Sequence, residues 1–320
     1  MDKDVTRTRK NSFKENIKSF IIGFLAVLVC FLINHISNEK YSKMEDYLEN
    51  NYYSTDHLYE SIHDTLGDSA TEFEDKKQYI SENFDNYVFK LVLSDLNKYE
   101  DEHKAKYNNY FSKEKADDII SQLNSYEKAE VNSENGICYI KITNFVDKKT
   151  YKDLFNYKSV LSESSEFIID LRGNTGGSIS ELIDVMSLFY TNDSVIYSEI
   201  KNDEVKSYKT SKTKIIDFDK IVFLCDEHTA SAAEIMIFNM KSDFTDKVTT
   251  VGSKTYGKNF GYAYKQFNDG ELFMFVSELM GNSKGETFED TGIIPDYTLD
   301  ESNDPLNFAV NIINENGVKE

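Results

Sequence analysis

The chain has 320 residues, a formal net charge of −20, 40% hydrophobic content and no Trp. It is long enough to bury a core of its own, and its acidity excludes nucleic acid and anionic lipid as partners of its main body, because both demand clustered Lys and Arg. Three Cys and five scattered His show no ligand spacing, so neither a metal site nor a cofactor is expected.

Residues 1–18 carry Lys3, Arg7, Arg9, Lys10, Lys14 and Lys18 against Asp2, Asp4 and Glu15. An almost unbroken apolar run follows, Phe20-Ile-Ile-Gly-Phe-Leu-Ala-Val-Leu-Val-Cys-Phe-Leu-Ile33. A basic flank before such a run predicts a membrane-spanning signal anchor over 19–36, with residues 1–18 as a cytoplasmic tail and everything after it exported. No small-x-small pattern follows the run to mark a cleavage site, and Val29 before Cys30 is too large for lipoprotein processing.

Residues 37–132 read as an all-helical region: clusters such as Met44, Tyr47 and Leu48, then Tyr87, Phe89, Leu91 and Val92, then Ile119, Ile120 and Leu123 are separated by charged stretches. Asn132-Ser-Glu-Asn-Gly136 reads as a turn, and we expect the catalytic domain over 133–320. There the pattern becomes α/β. Strands are expected at Ile137 to Ile142, Phe167 to Leu171, Val195 to Ile200 and Lys220 to Cys225, with helices near Lys149 to Leu161, from Ser180 to Tyr190 and from about Ser231. Beyond Val248, short strands with Gly turns predict a β-rich end. Cys138 and Cys225 lie in apolar strand-like runs and read as buried small hydrophobes.

Three segments carry chemistry in their order. In Phe167-Ile-Ile-Asp-Leu-Arg-Gly-Asn-Thr-Gly-Gly177 an apolar strand runs into glycines, which let backbone N–H groups point into a cleft as an oxyanion site. Taken alone, this is equally a strand-to-helix loop, with Ser178-Ile-Ser-Glu181 as a helix capping box. Thr229-Ala-Ser-Ala-Ala-Glu234 sets Ser231 at a helix start among small residues that would let a substrate approach; by itself it reads as another capping box. Thr255-Tyr-Gly-Lys258 offers a lysine in an apolar, glycine-rich approach, and a lysine serves as a base only where burial disfavours its ammonium form. Ser211-Lys-Thr-Lys214 fits the short S-x-x-K pattern of penicillin-recognising enzymes, but no S-D-N or K-T-G motif accompanies it.

Together with Gly292-Ile-Ile-Pro-Asp296, these segments resemble, in order and spacing, the C-terminal processing peptidases, also called tail-specific proteases. The resemblance implies a ClpP/crotonase-like catalytic core and a serine–lysine peptidase that needs no cofactor. It matches Ser231 to the nucleophile, Lys258 to the general base, and Gly177 and Ala232 to the oxyanion hole. Leu66-Gly-Asp-Ser-Ala-Thr-Glu-Phe73 is similar to the family's short helical turn, with Ala70 where some branches have a histidine. Tyr262 stands where many members have a glutamine that orients the lysine, so its hydroxyl is a candidate for that role. The family's PDZ domain is read as missing from the helical segment after this turn.

The expectation is a membrane-anchored, extracytoplasmic serine endopeptidase that acts on exported or unfolded polypeptides, with an activating partner left open. The alternative is a catalytically silent binding module on the same fold.

Overall fold

The computed structural model describes residues 93–94, 97–100, 102–266, 270–288, 290–300 and 302–317. The expected cytoplasmic tail, the anchor over 19–36 and the Leu66–Phe73 turn lie outside the described residues. Among the described residues no helix is long and apolar enough to cross a membrane.

The chain divides into two units, the first comprising Met1–Phe111 with Tyr264–Phe267 and Glu271–Phe275. Its described part contains helix α1 (Glu102–Ala105) and strand β1 (Asn109–Phe111). β1 pairs antiparallel with Leu272–Met274, and the Tyr110 hydroxyl donates to Glu271. The all-helical reading of 37–132 is therefore corrected here: a three-residue strand with only Tyr110 buried is too short to show an alternating pattern.

The second unit begins with α2 (Lys113–Leu123) and β2 (Glu130–Glu134). β2 is a second correction, because Asn132, Ser133 and Glu134 are extended rather than turned. The turn is confined to Asn135 and Gly136, both at positive φ, as a two-residue hairpin between right-twisted strands requires. β3 (Ile137–Lys141) follows, then two short helices, α3 (Thr150–Phe155) and α4 (Lys158–Glu163), where one was expected. Next come β4 (Glu166–Asp170), α5 (Ile179–Met186), the hairpin β5 (Val195–Lys201) and β6 (Glu204–Lys209), β7 (Lys220–Cys225), α6 (Ala232–Asp243) and β8 (Val248–Gly252). The remainder comprises β9 (Phe260–Gln266), β10 (Leu272–Gly281), β11 (Tyr297–Thr298) and a C-terminal helix α7 (Pro305–Gly317). β9 and β10 run through both units.

The central sheet of this unit has the order β11-β8-β7-β4-β3-β2; all neighbours are parallel except the β2–β3 hairpin. Parallel strands covered on both faces read as continuous apolar runs, which is why Ile221-Val-Phe-Leu-Cys225 shows no alternation in hydropathy. The alternation is in the partners. Ile221, Phe223 and Cys225 face one core with Phe167, Ile169 and residues of α5 and α6, whereas Val222 and Leu224 face another with Ile168, Ala309 and Ile313. Each of the Ile, Val, Leu and Phe side chains among them, fully buried, contributes about 1.5–3 kcal/mol. α7, absent from the β-rich ending expected from the sequence, is the cover of that second face.

The Ser178–Glu181 capping box does not form. Ser178 makes no side-chain cap, and the buried Glu181 carboxylate instead accepts from the backbone N–H groups of Lys148 (2.7 Å) and Tyr151 (2.6 Å), at the start of α3.

Candidate active site

β4 and β7 are adjacent and parallel, so the loops leaving their carboxyl ends emerge side by side, the position where open α/β sheets form their crevices. Those loops carry the glycines and Ser231. They are stitched together: the Asn174 carbonyl accepts from Ala230 N–H (2.9 Å), and Thr229 Oγ1 donates to the Leu171 carbonyl (2.9 Å). Asn174, itself fully buried, donates from its side chain to Ile142 O and accepts from Gly176 N–H, which fixes the turn of the glycine loop. At the root of the loop Arg172 makes two bonds to buried Asp170 (2.9 and 2.6 Å), to which the Tyr139 hydroxyl also donates. Burial works to raise the Asp170 pKa, but the bonds from Arg172 and Tyr139 prevail and hold it below its ordinary value.

Gly176 and Gly177 have φ of 100° and 140°. A Cβ at Gly176 would stand 2.8 Å from Ser231 Cβ and 3.0 Å from Ala232 N, so the loop lies directly against the serine turn. Gly177 bridges to Phe145, where a Cβ would meet the carbonyl oxygen at 2.2 Å. Among the described residues neither the Gly177 N–H nor the Ala232 N–H has a hydrogen-bond acceptor. Ser231 has φ 57° and ψ −121°, backbone space that a non-glycine residue occupies only when its surroundings impose it. The same strain between a strand and a helix is what projects a serine hydroxyl in nucleophile elbows.

Glu234 imposes it. This fully buried carboxylate, one turn into α6, accepts from Ser231 N–H (2.9 Å) and Lys258 N–H (2.8 Å) through one oxygen, and from Gly257 N–H (2.7 Å) and Thr255 Oγ1 (2.5 Å) through the other. Burial raises its pKa, with the four hydrogen bonds pulling in the opposite direction. The sequence expectation gave Glu234 a capping role only; the spacing that suggested the cap was the available signal, but the donors from Thr255 to Lys258 belong to a distant loop.

Lys258 is 6% exposed, and its Nζ lies 4.1 Å from the centre of the Tyr262 ring and 5.7 Å from that of Phe260. Tyr262 therefore meets the lysine with its ring face, a cation–π geometry, where the sequence suggested its hydroxyl. The Gly292–Asp296 segment holds this loop from behind: Thr255 N–H donates to Ile293 O, and Asp296 pairs with Lys241 (2.6 Å) and accepts from Thr250 N–H (2.8 Å). Ser231, Ala232, Gly177, Lys258 and Tyr262 thus lie in one unit, within a single hydrogen-bonded and packed frame.

Residues 136–299 match the model of peptidase family S41. The chain belongs to that family. All four motifs of this S41 chain fall within the match. A probable CtpA-like serine protease of Staphylococcus haemolyticus is 30% identical over 134 residues, which is 41% of this chain and 27% of that protein. Its counterpart in Staphylococcus aureus is 29% identical over 138 residues, 42% of this chain and 27% of that one. The S41 chain thus covers less than a third of the length of these curated relatives. A solved lipoprotein from Streptococcus agalactiae shares the fold, with a TM-score of 0.59 at 20% identity over 86% of this chain and 94% of that one.

Proposed function

We propose that the chain is a serine endopeptidase in which Ser231 attacks a peptide carbonyl and Lys258 takes the hydroxyl proton. The observation that carries this reading is the shared carboxylate: Glu234 binds the backbone N–H of both residues, 2.9 and 2.8 Å away, so the two main-chain segments keep a fixed relation. As the base, Lys258 reacts as the neutral amine, the form that its burial favours and that the ring face of Tyr262 opposes. The N–H groups of Gly177 and Ala232 hold the oxyanion of the tetrahedral intermediate, the protonated lysine returns its proton to the leaving amine, and water resolves the acyl-enzyme. Tyr262 packs beneath the amine and limits its rotamers. Residues 19–36 anchor the enzyme with its catalytic domain outside the cytoplasm, where exported or unfolded polypeptides reach it at high effective concentration. The basic flank and apolar run support this location.

The test incubates an unfolded polypeptide such as reduced casein with the full chain in detergent, beside Ser231→Ala and Lys258→Ala, with fragments read by mass spectrometry. Cleavage by the parent alone is expected. Cleavage that persists in Ser231→Ala would remove Ser231 as the nucleophile, and a folded parent that cuts nothing while retaining the polypeptide would replace this reading with the binding module.

A further inference from the structure

Beside this site lies a second concavity of about 420 Å³, and its composition points to a ligand chemistry. Its apolar walls are Ile179 and Ile183 of α5 and the rings of Tyr197 and Tyr208. Its charged lining consists of Asp184, Glu199 and Glu278, with no lysine or arginine among the lining residues. It adjoins the site's frame at two places, the glycine loop and the strand that carries Tyr262. Ile179 is two residues beyond Gly177, and the Glu278 carboxylate fills the space a side chain at Gly261 would take, with Tyr262 next in sequence.

The Tyr197 residue is 2% exposed, and among the described residues its hydroxyl has no hydrogen-bond partner. Leaving a buried hydroxyl unpaired is costly, so such a group in a cleft wall marks a place where a partner arrives from outside. Burial and the charges of Glu278 and Glu199 push the phenol pKa well above its ordinary value, so it stays protonated and its oxygen is open to accept. The carboxylates have local contacts of their own. Asp184 pairs with Lys212 (3.1 Å) and Ser211, Glu199 with Lys206 (3.7 Å) and Tyr208, and Glu278 with Ser277, while Lys201 feels both glutamates and Lys258 feels Glu278. Lys206 and Lys212 have side-chain exposures of 69% and 37%, so water screens both pairs, and each carboxylate retains acceptor capacity toward the cleft.

Building on the peptidase reading, we infer that this cleft is a substrate subsite for a cationic side chain, Lys or Arg, of the bound polypeptide. The aliphatic stem lies along Ile179, Ile183 and the tyrosine rings, and the charged head reaches the Tyr197 oxygen and the carboxylates of Glu199, Glu278 and Asp184. An acidic residue at the same place meets the like charges of Asp184 and Glu199 and is rejected.

The test uses the full chain carrying Ser231→Ala and peptides of an alanine–serine scaffold with one Lys moved through every position, each paired with a norleucine version of equal stem length. Fluorescence anisotropy is expected to show one position at which Lys binds about tenfold more tightly than norleucine. Adding Glu199→Gln, Asp184→Asn or the conservative Tyr197→Phe should reduce that advantage, and the double carboxylate variant should bring it within about twofold. No position with a Lys advantage, an advantage untouched by all the variants, or no binding of any peptide would overturn the inference. Cleavage of the same peptides by the parent is read separately: cleavage without Lys preference removes the subsite and leaves the peptidase, and Lys-dependent binding without cleavage does the reverse.

Discussion

Gly176 packs a bare Cα against Ser231, and that contact makes the serine turn sensitive to a single methyl group. Gly176→Ala should lower kcat by about 100-fold or more, since the new Cβ must push the turn by several tenths of an ångström and the φ of 100° is strained for alanine. The ratio kcat/KM with a fluorogenic peptide, beside a thermal melt, separates this from unfolding. Glu234→Gln replaces one acceptor oxygen with an NH2 group that opposes two of the four donors. A loss of about 10²–10³ in kcat and roughly 2–4 kcal/mol of stability is expected. If Glu234 were only a helix cap, the effect would be confined to about 1 kcal/mol of stability.

At the scale of elements, Asp170 joins the end of β4 to the glycine loop through Arg172 and to β3 through Tyr139. Its folded pKa lies below the unfolded 3.8, so the unfolded chain binds the proton more readily. The stability it gives is therefore complete above the unfolded value and disappears as pH falls through the lower folded one. Asp170→Asn should destabilise the unit by about 1.5–3 kcal/mol at pH 7, because it leaves Arg172 without its charge partner while water reaches the exposed third of its side chain. Urea denaturation of parent and variant should show that gap closing only below pH 3.8. The strands leading to the site were legible in the sequence because Phe167-Ile-Ile169 and Ile221-Val-Phe-Leu-Cys225 are buried on both faces. β2 was hidden, since an edge strand with Val131 as its one buried residue resembles a polar turn. α7 was hidden because it follows Gly and Pro punctuation that reads as the end of structure. Ser231, Lys258 and the glycines were found through their spacing, but the cage around Glu234 depends on tertiary contact between α6 and the loop from Thr255 to Lys258.

For the whole molecule, the S41 match covers residues 136–299 of the α/β unit, and the chemistry proposed for it requires one covalent event at one atom. Rapid-quench intact mass spectrometry of the full chain with an activated peptide ester tests that event, with the adduct mapped by peptide sequencing. The account predicts an acyl group on Ser231 in the parent, none in Ser231→Ala, and acylation slowed by at least about 100-fold in Lys258→Ala. An adduct on any other residue, or one that forms equally well in Ser231→Ala, would contradict it.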